Sequence, residues 1–423
     1  MKIDRLRLLG LGGSNKIMQG ELSRLAKRAL GPDVSRALLA QPPQKLGPGG
    51  LGYPFSAELA SVAVCYHRTS ARVLWDLYAS PANRLEPLYE ELYQDILAET
   101  RPWLRDGLKF SVLAFGTSSV AAGDRQVVGV VKNALMKAAS ERGMRLRLEP
   151  HQPQLLLHAR STPIAQASRA GRDSSRPAEP GSLVVSLDLA GRPMHQRGYR
   201  GSTGIAPIRE DLASNLVMLA RHDPRRQVVI DPLAGSGTLL IEAALLAAAR
   251  PLWMSGRRPL AVQIGGVSEQ VAARRGPLFG DTRPALYAAE RDAQAFTSLK
   301  TNAETAGVQH QLSAFAGDFR DWPLHGELLR GKGAAEPGLI LSNPPYGSRL
   351  ELSERELGSL YQDLGAWCRQ FSGYRAGFLV GDAKEGSREP SVSLFLRKFG
   401  GKPRLRKPMA NGPLRAQFLL YQL

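Results

Sequence analysis

The strongest constraint on the fold is one stretch, VVIDPLAGSGTLLIEAALL, residues 228–246. An apolar strand, Val228–Asp231, ends in a carboxylate, turns through glycines and enters a helix, Thr238–Ala249. Gly235 and Gly237 permit positive φ and close approach of a ligand to the backbone. The helix start adds unpaired N–H donors and a positive dipole. A buried strand feeding a buried helix through so short a turn opens a βαβ unit, and such units build parallel sheets covered on both faces. The turn lacks the third glycine of a G-x-G-x-x-G fingerprint and the Lys-Ser/Thr of a phosphate loop. A tight turn without a ligand explains a lone G-x-G equally well.

The same rhythm runs through the C-terminal half. A helix over Arg209–Arg221 precedes the glycine turn. After it come a strand (Leu286–Glu290), a helix (Asp292–Ala306), a short strand ending at Asp318 and a strand (Gly338–Ser342). A helix (Ser353–Phe371), a strand (Ala376–Val380) and a final strand (Gln417–Leu423) complete the pattern. The first 200 residues read differently. A helix over Gln19–Ala29 leads to a flexible joint, QPPQKLGPGG. Residues 58–100 read as helical, from Leu74, Leu77 and Tyr78 and then Leu88, Leu92 and Leu97. A strand (108–115), a helix (126–140), strands in RLRLEP and PQLLLHAR, and a strand from Ser182 follow. Ser161–Gly181 is too polar to pack and reads as an exposed insertion. There is no internal repeat.

At 423 residues the chain exceeds one ordinary core, and 43% hydrophobic content suffices for more than one. The net charge is +18, of which residues 1–200 carry +11 and the rest +7. A sequence pI near 10.2 favours an acidic partner, with nucleic acid first and a membrane surface second. The densest basic run, Arg397, Lys398, Lys402, Arg404, Arg406 and Lys407, reads as a solvated loop. No apolar run approaches a membrane span, and the N-terminus lacks the apolar core and cleavage site of a signal peptide. Two cysteines, Cys65 and Cys368, exclude a disulfide scaffold and a multi-cysteine zinc site and fit a reducing cytoplasm.

Three more strand ends carry polar groups. Glu290, in LYAAERD, stands where a ribose hydroxyl pair would be held, with Asp292 as N-cap of the next helix. Asp318, in AGDF, could accept from an adenine amino group or serve as a turn aspartate. The most specific signal is LILSNPPYGSRL. Pro344 and Pro345 stop the strand, fix the backbone and remove donors, which leaves the Pro344 carbonyl free as an acceptor. The Asn343 side-chain oxygen is a second acceptor, and two converging acceptors suit an exocyclic amino group. Tyr346 offers a flat face for a base.

DPLAGSGT, AERDA, GDF and NPPYG in this order resemble the class I S-adenosylmethionine-dependent methyltransferases of planar amino nitrogens. HQRGYR (His195–Arg200), APIRE (Ala206–Glu210) and the C-terminal NGPL (Asn411–Leu414) narrow the resemblance to the THUMP-domain RNA guanine-N2 methyltransferases, chiefly bacterial enzymes acting on 23S ribosomal RNA. It covers about residues 47–423. It departs from the family in residues 1–46, in Leu233-Ala234 where a cysteine is common, and in the Ser161–Gly181 insertion.

The resemblance implies an α/β chain. A seven-stranded, mostly parallel Rossmann-like domain over 191–423 follows a ferredoxin-like and THUMP RNA-binding region over 47–190, with 1–46 an extension of uncertain role. S-adenosylmethionine is the implied cofactor, bound by Asp231, Gly235, Ser236, Gly237, Thr238, Glu290, Asp318 and Asn343. Asn343, Pro344 and Tyr346 would act on the base. Arg197, Tyr199, Arg200 and Arg349 would meet RNA, although the first three could equally pack between domains. Metal and membrane have no implied role. A tRNA guanine, a DNA adenine or a protein glutamine would fit the NPPY chemistry, and a non-catalytic ribosome assembly factor is the rival of another class.

Overall fold

The computed structural model describes residues 2–80, 84–98, 101–117, 122–162, 182–201, 208–255, 258–280, 282–330, 336–346, 352–381, 390–411 and 414–423. The N-terminal half opens with β1 (Lys2–Gly10), α1 (Asn15–Leu30), α2 (Pro32–Leu38), β2 (Gln44–Lys45) and β3 (Gly50–Pro54). It continues with α3 (Ala57–Tyr66), β4 (Ser70–Ser80), α4 (Leu85–Ala98), β5 (Lys109–Phe115) and α5 (Asp124–Glu141). β6 (Arg147–Leu148), β7 (Leu155–Thr162) and β8 (Ser182–Asp188) complete it. These strands form one eight-stranded sheet in the order β2-β3-β1-β4-β8-β7-β5-β6.

Two expectations are corrected here. Residues 1–46 are not an appendage, because β1 lies between β3 and β4 and pairs Leu6 with both Tyr53 and Trp75. The helix expected over 58–100 is interrupted by β4. Val73, Trp75 and Leu77 alternate with Arg72, Leu74 and Asp76, and this period of two fits a strand held between β1 and β8. One face of the sheet shares a core with the helices. Leu6, Leu8, Phe110 and Leu157 cluster with Leu22 of α1, Leu59 of α3, Leu88 of α4 and Leu135 of α5.

The C-terminal half runs α6 (Glu210–Leu219), β9 (Val229–Asp231), α7 (Thr238–Ala248), α8 (Ser268–Ala272), β10 (Leu286–Glu290), α9 (Ala293–Thr305) and β11 (Leu312–Ala316). Then come α10 (Leu324–Arg330), β12 (Leu339–Ser342), α11 (Glu354–Cys368), β13 (Arg375–Gly381), α12 (Ser391–Phe399), β14 (Leu405–Asn411) and β15 (Leu414–Gln422). The seven-stranded sheet has the order β11-β10-β9-β12-β13-β15-β14. β11, β10, β9, β12 and β13 are parallel, and β15 runs antiparallel to both its neighbours. Strand order therefore reverses between β9 and β12, and a crevice opens at the C-terminal ends of the strands there.

Local chemistry sets the helix starts. Asp292 accepts from the Ala295 N–H at 2.7 Å, and Ser353 with Glu356 makes a reciprocal capping box on α11. The basic run expected as a solvated loop instead ends α12 with Arg397 and Lys398 and enters edge strand β14 with Arg406 and Lys407. Charged side chains on an edge strand discourage pairing with another chain.

The two halves share a core. Leu260, Ile264, Val267 and Val271, from the segment between α7 and β10, pack into the N-terminal cluster. A Cβ on Gly265 would lie 2.2 Å from the Pro102 carbonyl oxygen, so only glycine allows that approach.

Candidate active site

A cleft of about 220 Å³ lies at the reversal point, floored by Asp231–Ser236 and walled by Glu290, Asp318 and Asn343–Tyr346. Residues singled out at four separate strand ends thus meet in one place. The topology brings them together because parallel strands end on the same side of the sheet.

The glycine turn is tied down from several directions. The Gly235 N–H donates to Glu290 Oε2 at 2.7 Å, and Glu290 Oε1 accepts from the Asp292 N–H at 2.8 Å. Gly235 and Gly237 have φ of +54° and +80°, and a Cβ on Gly237 would also crowd Leu299 at 3.1 Å. Asn302 donates to the Ser236 carbonyl at 3.0 Å and accepts from the Gly201 N–H at 3.2 Å. Thr238 opens α7, and its hydroxyl accepts from Arg200 at 3.1 Å.

Asp231 is buried, and Oδ1 accepts from the Ser342 hydroxyl at 2.6 Å and the Leu233 N–H at 3.1 Å. Burial pushes its pKa up to about 7, against the lowering effect of these hydrogen bonds. The raised folded value means that the native state holds a proton that the unfolded chain releases near pH 4. Stability from this group is therefore lost between about pH 4 and pH 7, by about 1.4 kcal/mol per unit. Asp231→Asn should match the parent at pH 4 and unfold at progressively higher denaturant than the parent up to pH 7. A pH-independent difference in the midpoints would refute the assignment.

Asp318 accepts from the Arg320 N–H at 3.1 Å and pairs with the guanidinium groups of Arg320 at 3.3 Å and Arg291 at 3.6 Å. On the opposite wall the Asn343 Oδ1 is buried and has no hydrogen-bond partner among the described residues. Tyr361 donates to the Pro345 carbonyl at 2.7 Å and pins the loop, while no hydrogen bond among the described residues reaches the Pro344 carbonyl. Tyr346 lines the cleft and is mostly buried, with its ring filling the space left by the missing side chain of Gly381.

Two of the residues expected to meet RNA lie away from the cleft. Arg197 and Tyr199 are buried in the junction between the two halves. Arg197 donates to the carbonyls of Met194 and, at 2.5 Å, Arg68, and pairs with Glu242 at 3.5 Å. Tyr199 donates to Glu242 at 3.2 Å. Glu242, on α7, also pairs with Arg68 at 3.1 Å and accepts from Ser214 at 2.7 Å. Both residues are thus corrected from RNA contacts to interdomain packing, because their partners leave them no solvent-facing surface. Arg200 supports the cleft from behind, donating to the Ile208 carbonyl at 2.7 Å as well as to Thr238. Arg349, with 202–207 of the GSTGIAP segment, 163–181 of the insertion and 412–413 of NGPL, lies outside the described residues.

Ser342, Asn302 and Arg68 were not legible as site residues, because each acts through a partner distant in sequence. Glu242 did leave a signal, as the single charge in a helix that is otherwise apolar on all sides.

Fold and cleft together define a Rossmann-like α/β unit of the class I methyltransferase type. Residues 197–384 match the family described as UPF0020: RMKL-like, methyltransferase domain. The chain is 33% identical to the ribosomal RNA large subunit methyltransferase K/L of Chromohalobacter salexigens over 57% of this chain and 32% of that protein. It is 26% identical to the protein of the same name from Cellvibrio japonicus over 93% of this chain and 50% of that one. The chain thus spans half or less of the length of these relatives. Among solved structures, one described as a predicted N6-adenine-specific DNA methylase from Listeria monocytogenes superposes with TM-score 0.73 at 21% identity, over 100% of this chain and 96% of that one. SMU.472, in complex with SAH, superposes with TM-score 0.71 at 19% identity, over 100% and 98% of the two chains.

Proposed function

We propose that the protein methylates the exocyclic amino group, N2, of a guanine in RNA, most specifically large-subunit ribosomal RNA, using S-adenosylmethionine. The observation that carries this reading is the buried, unpartnered Asn343 oxygen beside the two prolines, at the mouth of a cleft lined by Asp231 and Glu290. A buried acceptor left unpaired costs about 1–3 kcal/mol, and an incoming N–H removes that cost. The relatives' name, the match over 197–384 and the SAH held by a structural neighbour support the same class of reaction.

The cleft fits the cofactor on its own chemistry. Glycines at 235 and 237 let the backbone approach a ligand, Glu290 and Asp318 stand at successive strand ends, and Asp231 lies at the floor of the cleft. S-adenosylmethionine supplies a methyl group already activated by its sulfonium. The chain supplies position. Asn343 Oδ1 and the Pro344 carbonyl accept the two amino N–H groups and favour a pyramidal nitrogen whose lone pair points into the cleft. Fixed acceptors of this type act by preorganisation and orientation. Tyr346 closes the wall beside them. A paired guanine must leave its stack to enter.

The test uses purified protein, labelled S-adenosylmethionine, and unmodified large-subunit rRNA and bulk tRNA in parallel, followed by nucleoside analysis. N2-methylguanosine in the rRNA is expected. Label confined to tRNA would overturn the substrate, and methyladenosine would overturn the base.

A further inference from the structure

A second cavity, of about 260 Å³, lies at the junction of the two halves. Arg68, Arg197, Leu245, Arg250, Leu252 and Thr305 line it, and it shares no lining residue with the cleft. Leu245 is in the last turn of α7, Arg250 follows that helix, and Thr305 ends α9. Both helices start at the cleft, α7 at the glycine turn and α9 beside Glu290. The eleven residues of α7 span about 16 Å, so the two cavities lie at opposite ends of the same helices.

Three guanidinium groups meet one carboxylate here. Arg68 and Arg197, 2% and 3% exposed, form the floor and share Glu242 at 3.1 and 3.5 Å. Nε of Arg68 is buried with no hydrogen-bond partner among the described residues. Burial pulls the Arg68 pKa down, Glu242 opposes the fall, and the nearby Arg197 charge adds to it. Arg250 is half-buried at the rim. Its Nη1 donates to the carbonyls of Ala306 at 3.5 Å and Gly307 at 3.2 Å, and it pairs with no carboxylate among the described residues. Those carbonyls carry no formal charge, so two positive charges stay unanswered around the cavity. The floor groups are held by Glu242, so their field is set before a ligand arrives.

A phosphate monoester carries about −1.5 to −2 charges at neutral pH and accepts guanidinium donors in pairs. A carboxylate or a nucleic-acid backbone phosphate carries one negative charge and leaves half the excess unmatched. Leu245 and Leu252 add apolar wall for an organic body.

We infer that this cavity binds a small organic phosphate monoester across the junction of the two halves. Arg250 contacts the phosphate at the rim, and Arg68 and Arg197 supply charge from the floor. The inference is independent of the methyl acceptor and of the cofactor.

The test titrates phenyl phosphate, inorganic phosphate, dimethyl phosphate and phenol into the intact protein by calorimetry, at constant ionic strength. Phenyl phosphate should bind most tightly. Dimethyl phosphate, the monoanionic mimic of a backbone unit, should bind about 10-fold more weakly, and phenol should give no heat. Arg250→Gln should weaken phenyl phosphate about 10- to 100-fold, and Arg250→Lys, which keeps the charge and loses the fork, should weaken it less. Thr305→Glu places a carboxylate at the exposed rim and should weaken it as well. Thermal melts confirm that each variant folds, and if Arg250→Gln melts early, Thr305→Glu decides. No binding by the parent, or parental affinity in both variants, would overturn the site. Equal affinity for dimethyl phosphate would overturn the monoester in favour of a backbone phosphate, and equal affinity for inorganic phosphate would overturn the organic body.

Discussion

Asn343→Ala is expected to lower methyl transfer by about 10²- to 10³-fold while leaving the melting temperature unchanged or slightly raised. The loss follows the cost of removing one preorganised polar group aimed at a reacting centre. The unchanged stability follows from the structure, because Asn343 Oδ1 is buried without a partner among the described residues and its deletion removes an unpaired acceptor rather than a bond. Most polar groups behave in the opposite way, so the two readouts together separate a residue kept for chemistry from one kept for folding. S-adenosylmethionine affinity, measured by calorimetry, should change by less than the turnover. A variant that melts several degrees lower with parental turnover would reverse the assignment.

Glu242→Ala is expected to destabilise the protein by about 3–5 kcal/mol, because it strands buried guanidinium groups without a counter-charge. Arg68 and Glu242 are both buried, and Arg68 belongs to the N-terminal half while Glu242 lies on the helix that starts at the glycine turn. Burial pushes the Glu242 pKa up, but the guanidinium groups of Arg197 and Arg68 and the Ser214 hydroxyl outweigh it and hold the carboxyl below its ordinary value. A depressed folded value means the stabilisation is present above the unfolded pKa, near 4.3, and is lost as pH falls through the folded one. Denaturant melts should therefore show the parent and Glu242→Ala converging below pH 4. Glu242→Gln, which keeps the volume, should recover part of the loss at neutral pH. A neutral-pH difference under about 1 kcal/mol would place Glu242 among weak surface pairs instead.

The insertion of β4 into a segment that looks helical shows what a local pattern omits. Leu74, Leu77 and Tyr78 have helical spacing, yet Val73, Trp75 and Leu77 also alternate with Arg72, Leu74 and Asp76. The choice falls to β1 and β8, which flank the segment and satisfy its backbone. The same limit applied to HQRGYR. Arginine and tyrosine in a basic chain suggest a nucleic-acid contact, but Arg197 and Tyr199 turn inward because Glu242 needs them.

What the sequence determined by itself was the Rossmann-like C-terminal half. Its signals are short and covalently local: a strand running into a glycine turn, carboxylates at the next strand ends, and two prolines that stop a strand beside Asn343 and leave a carbonyl without a competing donor. Chain direction in a parallel sheet then gathers those ends at one crevice without further instruction. The tertiary structure alone decided the rest. It made residues 1–46 part of a continuous sheet and bound the two halves through Glu242. Each of these depends on partners 69 to 174 residues apart or on a sheet register, and neither charge pairing nor burial across such distances is written in a local pattern.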